Sequence, residues 1–504
     1  MADNDFRRSR YFLTHKDGFY IDDITANDIG IEDVFLKIDK TRSSLGEEIL
    51  YHMIRTPLFD EGALKKREEE IVRYSSADDG LKKTKAALSK LSKLKKISVF
   101  EYLDHLNNVK KINKTLLFIP ALLILTGMIV TFFDATVGII LLLLSFIVNT
   151  VRYFGLLKDT RPFLSCFSYV FRAIGLSGEI KGVEPEEYKS LLGMTHGNFI
   201  LGNLSGVTAN GGGGNPFDLL LDLIRMSTHA DIIRFYFLTD KVLKNKDKIV
   251  SLLEHIGYID SYISIAELRN DFKTYAIPKF IDDKHIICEG LYHLLLNDPV
   301  PNSIDTTKSI LITGSNASGK STFLRSLALS ILFSQTLHTV PASSYKAPIC
   351  RLITSMSLTD DLLGNESFYM AEIKSVKRIS KWSEYDGYVC CFVDELLKGT
   401  NTVERIAASS VILKDLDAQK RFCFAATHDR ELTKILDDTY ENRHFDEKID
   451  ENGDIGFSYM IKPGAASTTN AIVLLHSIGF DEKITDDASA MVKRFENDGI
   501  WELP

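Results

Sequence analysis

Ser309–Phe333 reads SILITGSNASGKSTFLRSLALSILF. Ser309–Thr313 has the uniform apolar pattern of a buried strand. The loop Gly314–Thr322 follows it, and an apolar helical pattern follows the loop. The loop fits G-x-x-x-x-G-K-[ST] in the strand–loop–helix context that gives this motif its mechanism. Gly314 and Gly319 let successive backbone N–H groups turn inward around phosphate oxygens. Lys320 is suited to neutralise the β and γ phosphates, and Ser321, followed by Thr322, to place its hydroxyl on Mg2+. The helix N-terminus adds its dipole. This stretch predicts an α/β phosphate-binding domain.

Downstream, Tyr388–Val393 (YVCCFV) is a second apolar strand and ends in Asp394-Glu395. An aspartate at a strand end beside a phosphate loop can hold Mg2+ through water, and the adjacent Glu395 can orient or deprotonate an attacking water. Arg421–Ala426 (RFCFAA) is a third strand that runs into Thr427-His428, where an imidazole can hydrogen-bond a γ-phosphate. Taken singly, these are surface carboxylates and a loop histidine. Their order after the phosphate loop favours chemistry. From about Asn302 onward, short β-branched runs alternate with helical patterns, as in a parallel sheet.

These residues resemble the MutS family of DNA mismatch-repair ATPases. GSNASGKSTFLR (Gly314–Arg325) is similar to the family's G-P-N-M-G-G-K-S-T, VDELLKGTNT (Val393–Thr402) to L-D-E-x-G-R-G-T-S-T, and ATHDREL (Ala426–Leu432) to A-T-H-x-x-E-L. TDDLLGNESFYMAEI (Thr359–Ile373) is similar to S-D-D-L-x-x-x-x-S-T-F-M-x-E-M, and Pro463–Phe480 resembles the helical segment that helps pair subunits. The likeness is specific over about residues 290–490. A weaker one covers Asp39–Asp60 (DKTRSSLGEEILYHMIRTPLFD), which resembles the start of the family's helical core and lever.

The resemblance implies an ABC-type ATPase homodimer with composite sites, using ATP and Mg2+. Asn316, Lys320, Ser321, Asp394, Glu395 and His428 would act within one subunit, while Ser367 would reach the γ-phosphate held by the other. It also implies DNA as a partner, contacted through the backbone rather than at a mismatch. Only about twenty residues precede the core motif, so the family's mismatch-reading domain is not expected. The aromatic residue that the family often sets before P-N-D to stack on adenine is absent from Pro299–Ser303 (PVPNS).

Upstream, Thr115–Phe133 is a run of 19 uncharged residues, and after Asp134 a second run of 17 extends from Ala135 to Val151. As helices they would be roughly 28 and 25 Å long, close to a ~30 Å hydrocarbon core. Lys110, Lys111 and Lys114 precede the pair, and Arg152, Lys158 and Arg161 follow it. The positive-inside bias then puts both ends in the cytoplasm and the Asp134 turn outside. A buried helical hairpin in a large soluble core is the alternative. Between Lys82 and Lys96, seven lysines alternate with Leu81, Leu88, Leu91 and Leu94 around them. Such a basic amphipathic helix can lie on anionic lipid or a phosphate backbone, or can pack its leucines on a neighbour with a solvated face outside. Asn210–Pro216 (NGGGGNP) reads as a flexible loop.

With 60 basic against 68 acidic side chains, the net charge of −8 gives no global cationic field for nucleic acid. The six cysteines have no C-x-x-C or zinc spacing, which suits a reducing compartment. The expected architecture is an α/β P-loop ATPase domain of the ABC/MutS type, C-terminal to an all-α core/lever domain with an inserted transmembrane helical hairpin. Its boundaries fall at 1–109 and 162–290 (helical core), 110–161 (hairpin, helices near 115–133 and 135–154) and 291–504 (ATPase with C-terminal dimerisation helices). The expected function is a membrane-anchored ATPase whose cycle moves helical arms in a DNA-repair-related role. The alternative is a membrane-tethered mechanical or scaffolding ATPase acting on a protein or lipid partner. Either would sit at the cell membrane with both termini and the ATPase domain cytoplasmic, and would use no small-molecule substrate beyond ATP.

Overall fold

The computed structural model describes residues 7–76, 78–109, 112–194, 223–315, 318–356, 368–449, 455–466, 479–499 and 501–503, with Ile472 and Leu475. The chain divides into two compact units. The first comprises Met1–Lys16, Asp39–His52 and Glu70–Glu267, and the second Asp17–Ile38, Met53–Glu69 and Leu268–Pro504.

The first unit is helical. Its helices include α1 (Asp79–Leu91), α2 (Ile119–Phe133), α3 (Ala135–Leu176), α4 (Ala230–Lys244) and most of α5 (Lys246–Asp271). Asp78 caps α1 by accepting from Leu81 N, and Leu81, Leu88 and Leu91 are buried. The lysines around them are tied down by carboxylates: Lys85 by Glu267, Lys90 by Glu179 and Lys93 by Asp39. The packed helix with a solvated face is therefore the reading the structure supports. The helix stops at Leu91 because Ser92 takes a left-handed φ of 58°, so Leu94 lies beyond it.

The Asp39–Asp60 motif has a physical basis here. The Asp260 carboxylate accepts from Ser43 N (2.8 Å), Ser43 Oγ (2.6 Å) and Arg42 N (3.0 Å) at the start of the helix Ser44–Arg55. Burial pushes its pKa up to about 6. A Cβ on Gly257 would stand 2.9 Å from Leu45 O, so only glycine allows that approach.

At the hairpin, the Asp134 side chain caps α3 through Thr136 N (2.9 Å) and Val137 N (3.1 Å). The two helices meet through small residues, for a Cβ on Gly138 would stand 2.4 Å from Thr131 Cα. With its leading 3-10 turn, the first arm (Lys114–Phe133) and the second helix are long and apolar enough to cross a membrane, and the most apolar stretch of each is largely unburied. Phe132 and Phe133 at the tip are 91% and 87% exposed. The second helix does not end near residue 154 as expected. It continues through Pro162 to Leu176, and Leu164, Phe167, Val170, Phe171 and Ile174 of the extension are buried in the unit's core. Packing of those side chains outweighs the one backbone donor that proline removes.

The second unit is α/β. A small sheet has the order β1 (Lys279–Phe280), β5 (Ser344–Ala347), β2 (Ile286–Leu291), β3 (Asn302–Thr306). A six-stranded sheet runs β10 (Ile455–Pro463), β9 (Tyr440–Ile449), β4 (Ser309–Thr313), β8 (Arg421–Ala426), β7 (Tyr388–Asp394), β6 (Cys350–Ser355). Every pairing in it is parallel except β10 on β9. Strand character begins at Lys279, ahead of the change expected near Asn302. Ile310, Leu311, Ile312, Phe392 and Phe424 are wholly buried, as in a sheet covered on both faces. The unit's helices include α6 (Lys320–Thr336), α7 (Phe368–Ser380), α8 (Thr402–Leu416) and α9 (Glu482–Asp498).

Residues 17–38 and 53–69 were expected in the helical core but belong to this α/β unit. The helix Asp23–Asp28 is fastened at its last residue. Asp28 Oδ2 accepts from Thr354 Oγ1 (2.6 Å) and Met356 N (2.9 Å), and Asp28 O accepts from Arg325 Nε (2.9 Å). All six cysteines are buried free thiols.

Candidate nucleotide site

Three neighbouring strands of the large sheet, β4, β8 and β7, end on one edge and deliver the candidate residues. The turn after β4 needs its glycines: Gly314 has φ 141° and Gly319 φ 108°, and a Cβ on Gly314 would stand 3.0 Å from Phe445 O. Lys320 opens α6 and folds its ammonium over the loop, donating to Gly314 O (2.7 Å) and Ser315 O (2.6 Å). Burial lowers its pKa while the nearby Glu395 and Asp394 raise it. Thr322 follows in the first turn of α6.

Ser321 Oγ donates to Asp394 Oδ2 at 2.5 Å, and the other carboxylate oxygen, Oδ1, is buried with no hydrogen-bond partner among the described residues. Burial raises the pKa of Asp394, and the Ser321 hydrogen bond opposes the rise. A buried orphan carboxylate oxygen beside a hydroxyl is a donor set that a hard divalent cation completes. Ser321 and Asp394 could therefore hold Mg2+.

Past β7 the chain makes a strained turn, with Glu395 (φ 53°) and Leu397 (φ 57°) in the left-handed region. Glu395 N donates to Ala426 O at 2.9 Å, which locks this turn to the end of β8. The Glu395 carboxylate then lies between an imidazole and an ammonium. His428 Nε2 is 2.6 Å from Oε1, and Lys398 Nζ is 2.5 Å from Oε2. Burial would raise this carboxyl, but the hydrogen bonds from His428 and Lys398 outweigh burial and hold it at about 2. Such a carboxylate stays ionised at any physiological pH, and suits orienting a water more than abstracting its proton.

Beside the loop is a cavity of about 400 Å³ lined by residues including His293, Pro299, Asn302, Lys320, Phe445 and Tyr459. Tyr459 takes φ 52° where β10 breaks register between Phe457 and Ile461. Asn302 spans the irregularity: its Nδ2 donates to Tyr459 O (2.9 Å), and its Oδ1 accepts from Ile461 N (2.7 Å). The Tyr459 ring consequently lies over Gly319, with Cδ1 3.3 Å from where a Cβ there would stand.

Gly314, Gly319, Lys320, Ser321, Thr322, Asp394, Glu395 and His428 are thus assembled on this edge. Asn316 and Ser367 lie outside the described residues, as does most of Pro463–Phe480. Sequence reasoning missed Lys398 and Tyr459. Lys398 follows Glu395 by three residues and was legible as an ion-pair spacing. Tyr459 sits in an ordinary alternating strand and carried no signal.

Comparison with known proteins bears on these residues. A C-terminal stretch, residues 310–496, matches the family described as MutS domain V. It is 29% identical over 300 residues to the DNA mismatch repair protein MutS of Lactobacillus delbrueckii subsp. bulgaricus, covering 57% of this chain and 34% of that protein. The corresponding Lactobacillus johnsonii protein is 30% identical over 302 residues, covering 56% and 34%. That of Leuconostoc mesenteroides is 27% identical over 285 residues, covering 54% and 33%. The chain spans about a third of the length of these curated relatives.

Proposed function

We propose that this chain is a MutS-type, membrane-tethered ATPase. ATP would be held on Gly314–Thr322, and Mg2+ by Ser321 and Asp394. The observation that carries the reading is the orphan Asp394 Oδ1 beside the Ser321 hydroxyl, one residue before a carboxylate braced by His428 and Lys398.

The chain's own groups divide the work of phosphoryl transfer. Backbone N–H groups of the loop and the Lys320 ammonium bind the β and γ phosphates once Lys320 leaves its two carbonyls. Glu395 orients the attacking water, and His428 holds Glu395 and faces the γ-phosphate. When bound, Mg2+ neutralises charge on the phosphate oxygens. The adenine fits the 400 Å³ cavity, with the Tyr459 ring supplying the stacking face absent from Pro299–Ser303. Asn316 in the same subunit, and Ser367 reaching across a homodimer, complete the composite sites.

Two apolar arms exposed on the first unit support the tether, since more than 80% of each arm's most apolar window is unburied. Water would not tolerate so large an apolar patch on a free surface. A bilayer covers it, with the Asp134 tip on the far side and the ATPase domain cytoplasmic. The relatives' name, DNA mismatch repair protein, favours DNA as the substrate that the helical arms hold, in a repair-related role. The tether itself favours the second reading, a scaffolding ATPase with a protein or lipid partner.

Purified full-length chain in nanodiscs should hydrolyse ATP only with Mg2+. Lys320→Ala should lose nucleotide binding, and Glu395→Gln should bind ATP, dimerise and turn over at least ~100-fold more slowly. Turnover unchanged in Glu395→Gln refutes the site. DNA affinity that falls steeply with salt supports the repair role, and no binding at low salt supports the scaffold.

A further inference from the structure

The bilayer reading of the hairpin, on which this inference rests, leaves a neighbouring element unassigned. Residues 223–228 are helical, His229 breaks the helix with a left-handed φ of 56°, and α4 follows. This bend is fastened to the hairpin by buried polar contacts. Asn149 Nδ2 on α3 donates to Pro120 O (3.0 Å) at the start of α2 and to Ser227 O (2.8 Å). His229 Nε2–H donates to Asn149 O (2.8 Å), and Tyr153 OH donates to Asp231 Oδ2 (2.7 Å).

Depth follows from helix geometry. Asn149 and Tyr153 lie 14 and 18 residues past Ala135. At 1.5 Å per residue they stand about 21 and 27 Å from the far end of α3, whereas a hydrocarbon core is ~30 Å thick. The bend therefore meets the hairpin within the near edge of the apolar slab, not in bulk water beyond it.

Its two hydroxyls are treated as lipid demands. Ser227 Oγ donates to Leu223 O (2.6 Å) and Thr228 Oγ1 to Ile224 O (2.7 Å), each back into its own helix. Its most exposed large side chains are apolar, with Leu223 40%, Ile224 48% and Phe237 45% exposed, while Arg234 is partly exposed. Phe237 also packs against Phe118 of the first arm, with ring centroids 6.2 Å apart, so this surface continues the hairpin's own. Charged side chains border it, cations outnumbering the exposed Asp159 and Asp240. Lys114 lies 5.1 Å over the Phe237 ring and pairs with Asp240, while Arg152, Lys158 and Arg161 are exposed along α3. An apolar strip bordered by cations matches the acyl–headgroup boundary of a phospholipid leaflet.

We infer that residues 223–237 form a third bilayer-associated element, lying along the leaflet that receives both hairpin ends, with Leu223, Ile224 and Phe237 in lipid. It is held there by Asn149 and Tyr153. The mass that enters the membrane is then a three-part wedge instead of a plain two-helix anchor.

The test uses the full-length chain in phosphatidylcholine–phosphatidylglycerol nanodiscs. The native cysteines are all buried, so nitroxide labels attach selectively at Leu223→Cys, Ile224→Cys or Phe237→Cys. Leu122→Cys and Leu143→Cys serve as hairpin references, and Lys82→Cys as an aqueous one. Oxygen collisions should exceed nickel-chelate collisions at the three test positions, by a smaller margin than at Leu143, and the order should reverse at Lys82. Nickel-dominated collisions at 223, 224 and 237, with Leu143 still oxygen-dominated, overturn this inference and leave the hairpin reading standing. Exclusion of both quenchers from the three positions, as under a second copy or another protein, also overturns it. If Leu143 is nickel-dominated too, the bilayer reading falls and this inference with it.

Discussion

Replacing Asp28 should damage the α/β unit far more than its position in a short N-terminal helix would imply. Its Oδ2 accepts from the Thr354 hydroxyl and from Met356 N, and Asp28 is 1% exposed. In Asp28→Ala both donors stay buried without that acceptor, at ~1–3 kcal/mol each, so the expected loss is about 2–6 kcal/mol. Asp28→Asn keeps one carbonyl oxygen for the two donors but exchanges the charge and the second oxygen for an NH2, so about 1–2 kcal/mol is expected. The chain's two tryptophans, Trp382 and Trp501, both belong to this unit, so intrinsic fluorescence in a guanidinium titration reports its unfolding. Thr354→Val removes one of the stranded donors in advance, and Asp28→Ala should then cost about 1 kcal/mol less than it does in wild type. If Asp28→Ala unfolds within ~0.5 kcal/mol of wild type, the buried donors have found other acceptors and the reasoning fails.

Glu395 is held at about 2 against an ordinary 4.5. A depressed carboxyl stabilises the fold above its unfolded value and loses that contribution as pH falls toward the folded one. Taken in full, that lowering is worth ~3.4 kcal/mol, and screening at the half-exposed His428 and Lys398 leaves about 1–2 kcal/mol. The stability gap between wild type and Glu395→Gln, read by the same fluorescence titration, should shrink by that amount between pH 5 and pH 2.5; a gap independent of pH contradicts the ion-pair geometry. Tyr459→Ala should weaken nucleotide binding by ~1–3 kcal/mol, or roughly 5- to 150-fold, while Tyr459→Phe stays near wild type. Calorimetry with ATP checks this, and equal affinity in all three proteins removes Tyr459 from the base site.

Much of the nucleotide site was legible because its signals are local. The phosphate loop needs glycine where φ is positive, a lysine at the helix start and a hydroxyl after it, all within nine residues. Asp394 and His428 were legible as polar residues that directly follow or end uniformly apolar strands. The apolar arms were legible for a similar reason: about twenty uncharged residues in succession need no partner to identify them. Lysine spacing along α1 was ambiguous because the leucines say only that one face is buried. The carboxylates that receive Lys85, Lys90 and Lys93 come from distant stretches of chain.

By itself, then, the sequence determined the strand–loop–helix that opens the α/β unit, the glycines and carboxylates at its edge, and the pair of apolar arms. Tertiary structure alone decided that residues 17–38 and 53–69 join that unit, that α3 runs on past the hairpin into a protein core, and that Tyr459 overlies Gly319. Backbone torsion preferences and apolar runs are properties of neighbouring residues and can be read in order along a chain. Hydrogen bonds such as Asp28 to Thr354 or Asn149 to Ser227 join residues far apart in sequence. Their partners are selected only when the whole chain has packed and every buried donor needs an acceptor.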